Sequence, residues 1–95
     1  MSEVNELTNF FSAIKEDARI GTTHISLYMA LFQFYHLNGF QNPIQITRAT
    51  VMETAKISGT ATYHRCMKDL VDLGYIQYLP SYNPAINSQV HILKV

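Results

Sequence analysis

Between Lys56 and Lys68 the sequence KISGTATYHRCMK sets hydroxyls and cations at helical spacing. On a wheel of 100° per residue, Tyr63, Cys66, Met67, Leu70 and Leu73 gather within an arc of about 120°. Ala61, Thr62, His64, Arg65, Lys68, Asp69 and Asp72 take the other side. That polar side is graded along its length, with hydroxyls and cations leading and carboxylates following. Groups of this kind at the leading end of a helix suit a polyanion. Thr60 and Thr62 can donate to phosphates or base edges, and the helix N-terminus itself favours an anion. Arg65 matches the N7/O6 edge of guanine or a phosphate, and Lys68 a phosphate. Gly59 and Ala61 keep the approach slim, and Lys56 and Ser58 adjoin it. The same residues also fit a plain solvated face, in which Arg65 pairs with Asp69 and Lys68 with Asp72 at i,i+4. Such pairs are weak, and a phosphate would compete for either cation.

No other chemistry emerges. His24, His36, His64 and His91 stand 12, 28 and 27 residues apart, without the short ligand spacings of a metal site. His64 shares its turn with Arg65 and Lys68 rather than with a carboxylate that would tune it as a base. Cys66 falls on the apolar side with no local histidine, so it reads as a small core residue and not a nucleophile. Glycine-rich phosphate loops are missing. The expectation is therefore no catalytic residue, no metal, no cofactor and no enzyme.

The composition narrows the choice further. With 95 residues, 47% hydrophobic and 15% charged, the chain fits one domain with a real core rather than a disordered tail. Seven Lys and Arg balance seven Asp and Glu, so affinity for nucleic acid must come from where a few charges stand. One cysteine excludes an internal disulfide and suits a reducing compartment. The opening Met1–Glu6 is acidic and lacks a secretion-signal layout, and no apolar stretch approaches the roughly 20 residues of a membrane span. A cytoplasmic chain without membrane partners is expected.

The elements that would position these residues follow from periodicity and punctuation. From Ser2 to Ile20, apolar residues recur at Val4, Leu7, Phe11, Ile14 and Ala18, with Phe10 widening the stripe, which predicts a helix capped by Ser2 and stopped by Gly21. Its stripe either packs on its own domain or forms a seam with a second copy of the chain. Thr22 and Thr23 offer caps for a helix over His24–Leu37 that is apolar almost all round and hence central. Asn38-Gly39 ends it. Ile44-Gln45-Ile46 alternates as a very short strand. Thr47 caps a helix from Arg48 to about Lys56, with Val51, Met52 and Ala55 inward. Ile57-Ser58-Gly59 interrupts it, and a further helix runs from about Thr60 to Leu73, closed by Gly74. Tyr75–Leu79 and Val90–Leu93 then make a hairpin around the turn-rich Pro80–Ser88. The organisation expected is an N-terminal helix over residues 1–21 and one domain over 22–95, α+β and mostly helical.

Thr62-Tyr63-His64-Arg65, followed by Leu70 and then Leu73-Gly74-Tyr75-Ile76, resembles the signature of winged helix-turn-helix domains such as those of MarR-like and GntR-like regulators. The likeness spans roughly Thr23 to Leu93. Leu27-Tyr28-Met29-Ala30-Leu31 is also similar to the first element of DnaD-like replication proteins, and small bacterial one-domain regulators look alike. The resemblance implies a winged helix-turn-helix with an extra N-terminal helix and a β-hairpin wing. Its function would be transcription regulation by double-stranded DNA binding, with Lys56, Ser58, Gly59, Thr60, Ala61, Thr62, His64, Arg65 and Lys68 at the groove. Wings of the family usually touch DNA through Arg or Lys, and the tip here has neither. Tyr82, Asn83, Asn87 and Ser88 are left as polar candidates for that role. A homodimer through Val4, Leu7, Phe11, Ile14 and Ala18 would read a two-fold site. The alternative is a protein-interaction or replication accessory module, using the N-terminal helix and the Tyr82/Ile86 loop on a protein partner.

Overall fold

Capping chemistry sets most element boundaries. The computed structural model describes residues 2–81 and 87–93, with side chains from Glu6 onward. Helix α1 spans Ser2–Ile14, α2 Thr22–Leu37, α3 Arg48–Ala55 and α4 Thr60–Asp72; strands β1, β2 and β3 are Ile44–Ile46, Ile76–Leu79 and Ser88–Ile92. Among the described residues this is a mostly helical α+β domain with four helices and one antiparallel sheet of order β1-β3-β2. No helix in the described residues is long and apolar enough to cross a membrane.

Three helices stop in the same way. After α2 the amides of Gly39 and Phe40 bond the carbonyls of His36 and Tyr35; after α4 those of Gly74 and Tyr75 bond Val71 and Leu70. After α3 the amides of Lys56 and Ile57 bond Glu53 and Met52. Each is a Schellman pair, which requires a left-handed residue at its corner. Glycine fills that corner at Gly39 (φ +68°) and Gly74 (φ +85°), but Lys56 fills it at φ +61°. At the other end of α3, Thr47 Oγ1 accepts from the Thr50 amide at 3.2 Å, as expected of a cap.

The expected helix over Ser2–Ile20 is cut short at Ile14. Asp17 captures the Arg19 amide at 3.0 Å and the Arg19 guanidinium at 2.9 and 3.1 Å, so a side chain competes with the helical ladder. Ala18 thus lies off the helix. Gly21 does not stop α1; it is the N-cap of α2, and Thr22 and Thr23 lie inside the first turn. His24 Nδ1 accepts the Gly21 amide at 3.0 Å, a reach-back that replaces the expected threonine cap.

The core is one cluster drawn from all four helices and the sheet, with Phe10, Leu27, Leu31, Val51, Cys66, Leu70 and Val90 wholly buried. Burying one such large side chain contributes roughly 1.5–3 kcal/mol. Phe10 stacks on Tyr28 with centroids 3.7 Å apart and meets Tyr75 edge-on at 5.2 Å, which fastens α1 to α2 and to the start of β2. Among the described side chains the inward face of α1 therefore centres on Phe10 rather than on the stripe through Leu7 and Phe11, and Phe11 is 40% exposed. One residue is 100° of rotation, so the two faces differ by nearly a third of a turn. Leu7 and Ile14 lie at the margin, half-buried. The Glu6 carboxylate shares the inward face, and its Oε2 has no hydrogen-bond partner among the described residues. Burial pushes the Tyr28 phenol up, and the nearby Glu6 carboxylate adds to it.

β3 is the central strand. It pairs Val90 with Ile44 on one side and Ile92 with Ile76 on the other. Asn42 extends the β1 edge by side chain alone: its amide donates to the Ile92 carbonyl and accepts the Ile92 amide, both at 2.9 Å. β3 begins at Ser88, two residues before the expected Val90, because β1 gives Ser88 and Gln89 partners in Ile46 and Gln45.

Candidate nucleic-acid interface

The α3–turn–α4 segment carries most of the candidate residues on one surface. Ile57 is the buried pivot of the turn, and Lys56, Ser58, Gly59, Thr60 and Ala61 are exposed. Ser26 Oγ donates to the Ala55 carbonyl, tying the end of α3 to α2. On α4, Tyr63, Cys66, Met67 and Leu70 are buried, as the wheel requires, while His64, Arg65 and Lys68 are exposed and Thr62 is half-buried. Tyr63 is held among apolar neighbours, and its hydroxyl finds no hydrogen-bond partner among the described residues. Burial pushes that phenol up to about 12.

The first turn of α4 is left open. Gly59 is its N-cap and has no side chain to satisfy the leading amides, in contrast to Thr47 on α3. A Cβ at Gly59 would meet only the Thr62 side chain, Oγ1 at 3.5 Å and Cβ at 3.8 Å, both ordinary contacts, so closeness of packing does not demand glycine there. Lys56, Ile57, Ser58, Gly59, Thr62 and Thr23 line a shallow hollow of about 210 Å³ beside those amides. Uncapped amides, hydroxyls and an ammonium in one hollow are the donors an anion needs.

The ion pairs differ from those read off the spacing. Asp69 does not pair with Arg65. It is half-buried and its Oδ2 lies 2.7 Å from His24 Nε2, across from the start of α2. Since His24 Nδ1 accepts from Gly21, the neutral ring carries its proton on Nε2 and donates it to Asp69. With Asp69 held by His24, no carboxylate among the described residues lies within ion-pair distance of the Arg65 guanidinium. Lys68 does make its expected bond, Nζ to Asp72 Oδ2 at 2.7 Å, and this bond raises its pKa. Both partners are exposed there, which keeps the pair open to competition.

A neutral total hides a division of charge along the chain. From residue 48 to 68, Arg48, Lys56, Arg65 and Lys68 oppose Glu53 alone, an excess of three positive charges that Asp69 and Asp72, at the far end of α4, reduce to one. From residue 1 to 17, Glu3, Glu6, Glu16 and Asp17 oppose Lys15 alone, an excess of three negative charges. The grading of cations before carboxylates on α4 is the one expected from the sequence; the acidic excess before residue 18 is the added feature.

The remaining candidates are less gathered. Ser88 belongs to β3, half-buried, and its Oγ accepts the Ser81 amide at 3.1 Å, which closes the base of the hairpin loop. Asn87 is exposed beside it. Tyr82, Asn83 and Ile86 lie outside the described residues, as does the side chain of Val4. No group of three or more His, Cys, Asp or Glu able to hold a metal occurs among the described residues. No family model, no curated protein and no solved structure matches the chain.

Proposed function

We propose that the chain is a sequence-specific double-stranded DNA-binding regulator of transcription, a winged helix-turn-helix in which α4 enters the major groove. The order α2-β1-α3-turn-α4-β2-β3 is the order that reading needs, with α1 as the extra helix and β2–β3 as the wing. The observation that carries it is the exposed leading half of α4, with uncapped amides, Thr60, His64 and an Arg65 that has no carboxylate partner among the described residues. A recognition helix contacts base edges through its N-terminal residues while the preceding helix crosses the backbone. Arg65 is the base reader in this account. Lys56, Ser58 and the amides of Thr60 and Ala61 hold the adjoining phosphate, Lys68 leaves Asp72 for a second one, and Thr62 and Gly59 shape the approach.

A homodimer joined through α1 would present two such helices to half-sites about one turn apart. The exposed Phe11 with half-buried Leu7 is its candidate seam, without Ala18. The test is fluorescence anisotropy on a duplex selected from a random pool, at two salt concentrations. Wild type should bind with a steep salt dependence, and Arg65→Ala should lose about 1–3 kcal/mol and relax the sequence preference. Absence of binding even at low salt would overturn the proposal in favour of a protein-interaction module.

A further inference from the structure

Round the helix from Arg65, the face of α4 that turns toward β2 is not filled. His64, Met67, Lys68, Val71 and Tyr78 line an open cleft of about 220 Å³. Its apolar lining is offered by the half-buried Val71 and Tyr78, with Met67 buried beneath them. Its lip is polar and lies one helical turn long, from the His64 ring to the Lys68 ammonium. Tyr63 steadies the lip through an edge-to-face contact with His64, centroids 5.3 Å apart and planes at 70°. The cleft is smaller than the roughly 300–1,000 Å³ of sites for drug-sized molecules, so it holds one ring rather than several. An apolar floor bounded by a phenol and an imidazole favours a flat π-system, and an ammonium at its rim favours an anion attached to that ring. These two demands meet in one common chemical unit.

We propose that the cleft between α4 and β2 is a nucleotide site, taking one base against Tyr78 and Val71 and its phosphate at His64 and at Lys68, which exchanges its exposed bond to Asp72 for the phosphate. The nucleotide is either a free mononucleotide or one residue of an unpaired strand. A base still paired and stacked inside a duplex cannot enter, because its faces are covered. The site thus goes beyond the groove contact of Arg65. It shares Lys68 and His64 with that contact but needs no duplex to be bound.

The test is an amide and methyl NMR titration of the full chain with thymidine monophosphate, thymidine, inorganic phosphate, benzoate and an oligothymidine of about ten nucleotides. Thymidine monophosphate should shift Met67, Val71 and Tyr78 together, more tightly than thymidine, with inorganic phosphate leaving Val71 and Tyr78 unmoved. A much tighter oligothymidine identifies an unpaired strand as the source; equal affinity identifies the free nucleotide. Tyr78→Leu keeps the apolar volume without the π-face and should weaken nucleotide binding about ten-fold. The same variant should bind the selected duplex as wild type does, whereas Arg65→Ala should lose the duplex and keep the nucleotide shifts. The proposal fails if the cleft resonances stay still, if benzoate binds as tightly as the nucleotide, or if Tyr78→Leu binds the nucleotide unchanged. None of those results touches the duplex reading, which stands or falls on Arg65.

Discussion

Lys56 separates the demands of folding from those of binding. It is the left-handed corner of the α3 stop, at φ +61°, where the matching corners of α2 and α4 are Gly39 and Gly74. A side chain in that conformation costs roughly 1–2 kcal/mol. Replacing it by glycine removes this cost but returns about 0.4–1 kcal/mol as added freedom of the unfolded chain. Lys56→Gly should therefore stabilise the fold by about 0.5–1 kcal/mol, or about 2–8 °C in Tm for a domain of this size. If the ammonium holds a phosphate, the same variant should bind the selected duplex more weakly, with a salt slope shallower by about one unit. Lys56→Gln keeps the strain and removes the charge, so it should lose the binding without the gain in Tm. Thermal melting by circular dichroism and anisotropy across a salt series read both quantities. A glycine variant that melts lower would refute the strain argument. One that binds with an unchanged slope would remove Lys56 from the interface.

Four other outcomes follow from the geometry. Asp69→Asn should cost about 1 kcal/mol by weakening the half-exposed bond to His24, yet tighten DNA binding by removing a carboxylate from the face of α4; urea titration and anisotropy check the two signs. Phe10→Ala should cost about 3–5 kcal/mol in denaturant unfolding, whereas Phe11→Ala should leave monomer stability nearly unchanged and shift the sedimentation of any dimer toward monomer. Thr47→Ala should cost about 1 kcal/mol through the lost cap on α3, measured by denaturant midpoint. Tyr63→Phe should be neutral or stabilising near pH 7, since it removes a buried hydroxyl with no described partner. The Tyr63 phenol titrates higher in the folded chain, up to about 12 against 10 unfolded, so the unfolded state loses its proton first. Stability is thus full below about pH 10 and falls as pH rises toward 12, and Tyr63→Phe should flatten that fall in pH-dependent melts.

Local signals carried most of the helical layout. Thr47, Gly39 and Gly74 are residues whose own chemistry ends or begins a helix, and the Tyr63-Cys66-Met67-Leu70 periodicity gave the buried side of α4. What stayed hidden depended on partners distant in sequence. Asp69 sits four residues from Arg65 and looks like its partner, but His24, 45 positions away, takes it. β1 pairs with β3 across more than forty residues, and no alternation within three residues specifies that. The end of α1 is not legible because a 3-4 repeat of apolar residues continues past Ile14, while the Asp17 side chain breaks the ladder. The corner at Lys56 was invisible because lysine does not advertise a left-handed turn as glycine does. Of the candidate site, residue types and their outward direction on α4 were legible; the release of Arg65 was not.

The central claim is that Arg65 reads a base edge in the major groove. The most direct measurement is protection of guanine N7 from methylation on the selected duplex, compared between wild type and Arg65→Ala at matched occupancy. A guanine in each half-site should be protected by wild type and become reactive again only in the variant. A protection pattern identical in both proteins, or no protection with wild type fully bound, would contradict it.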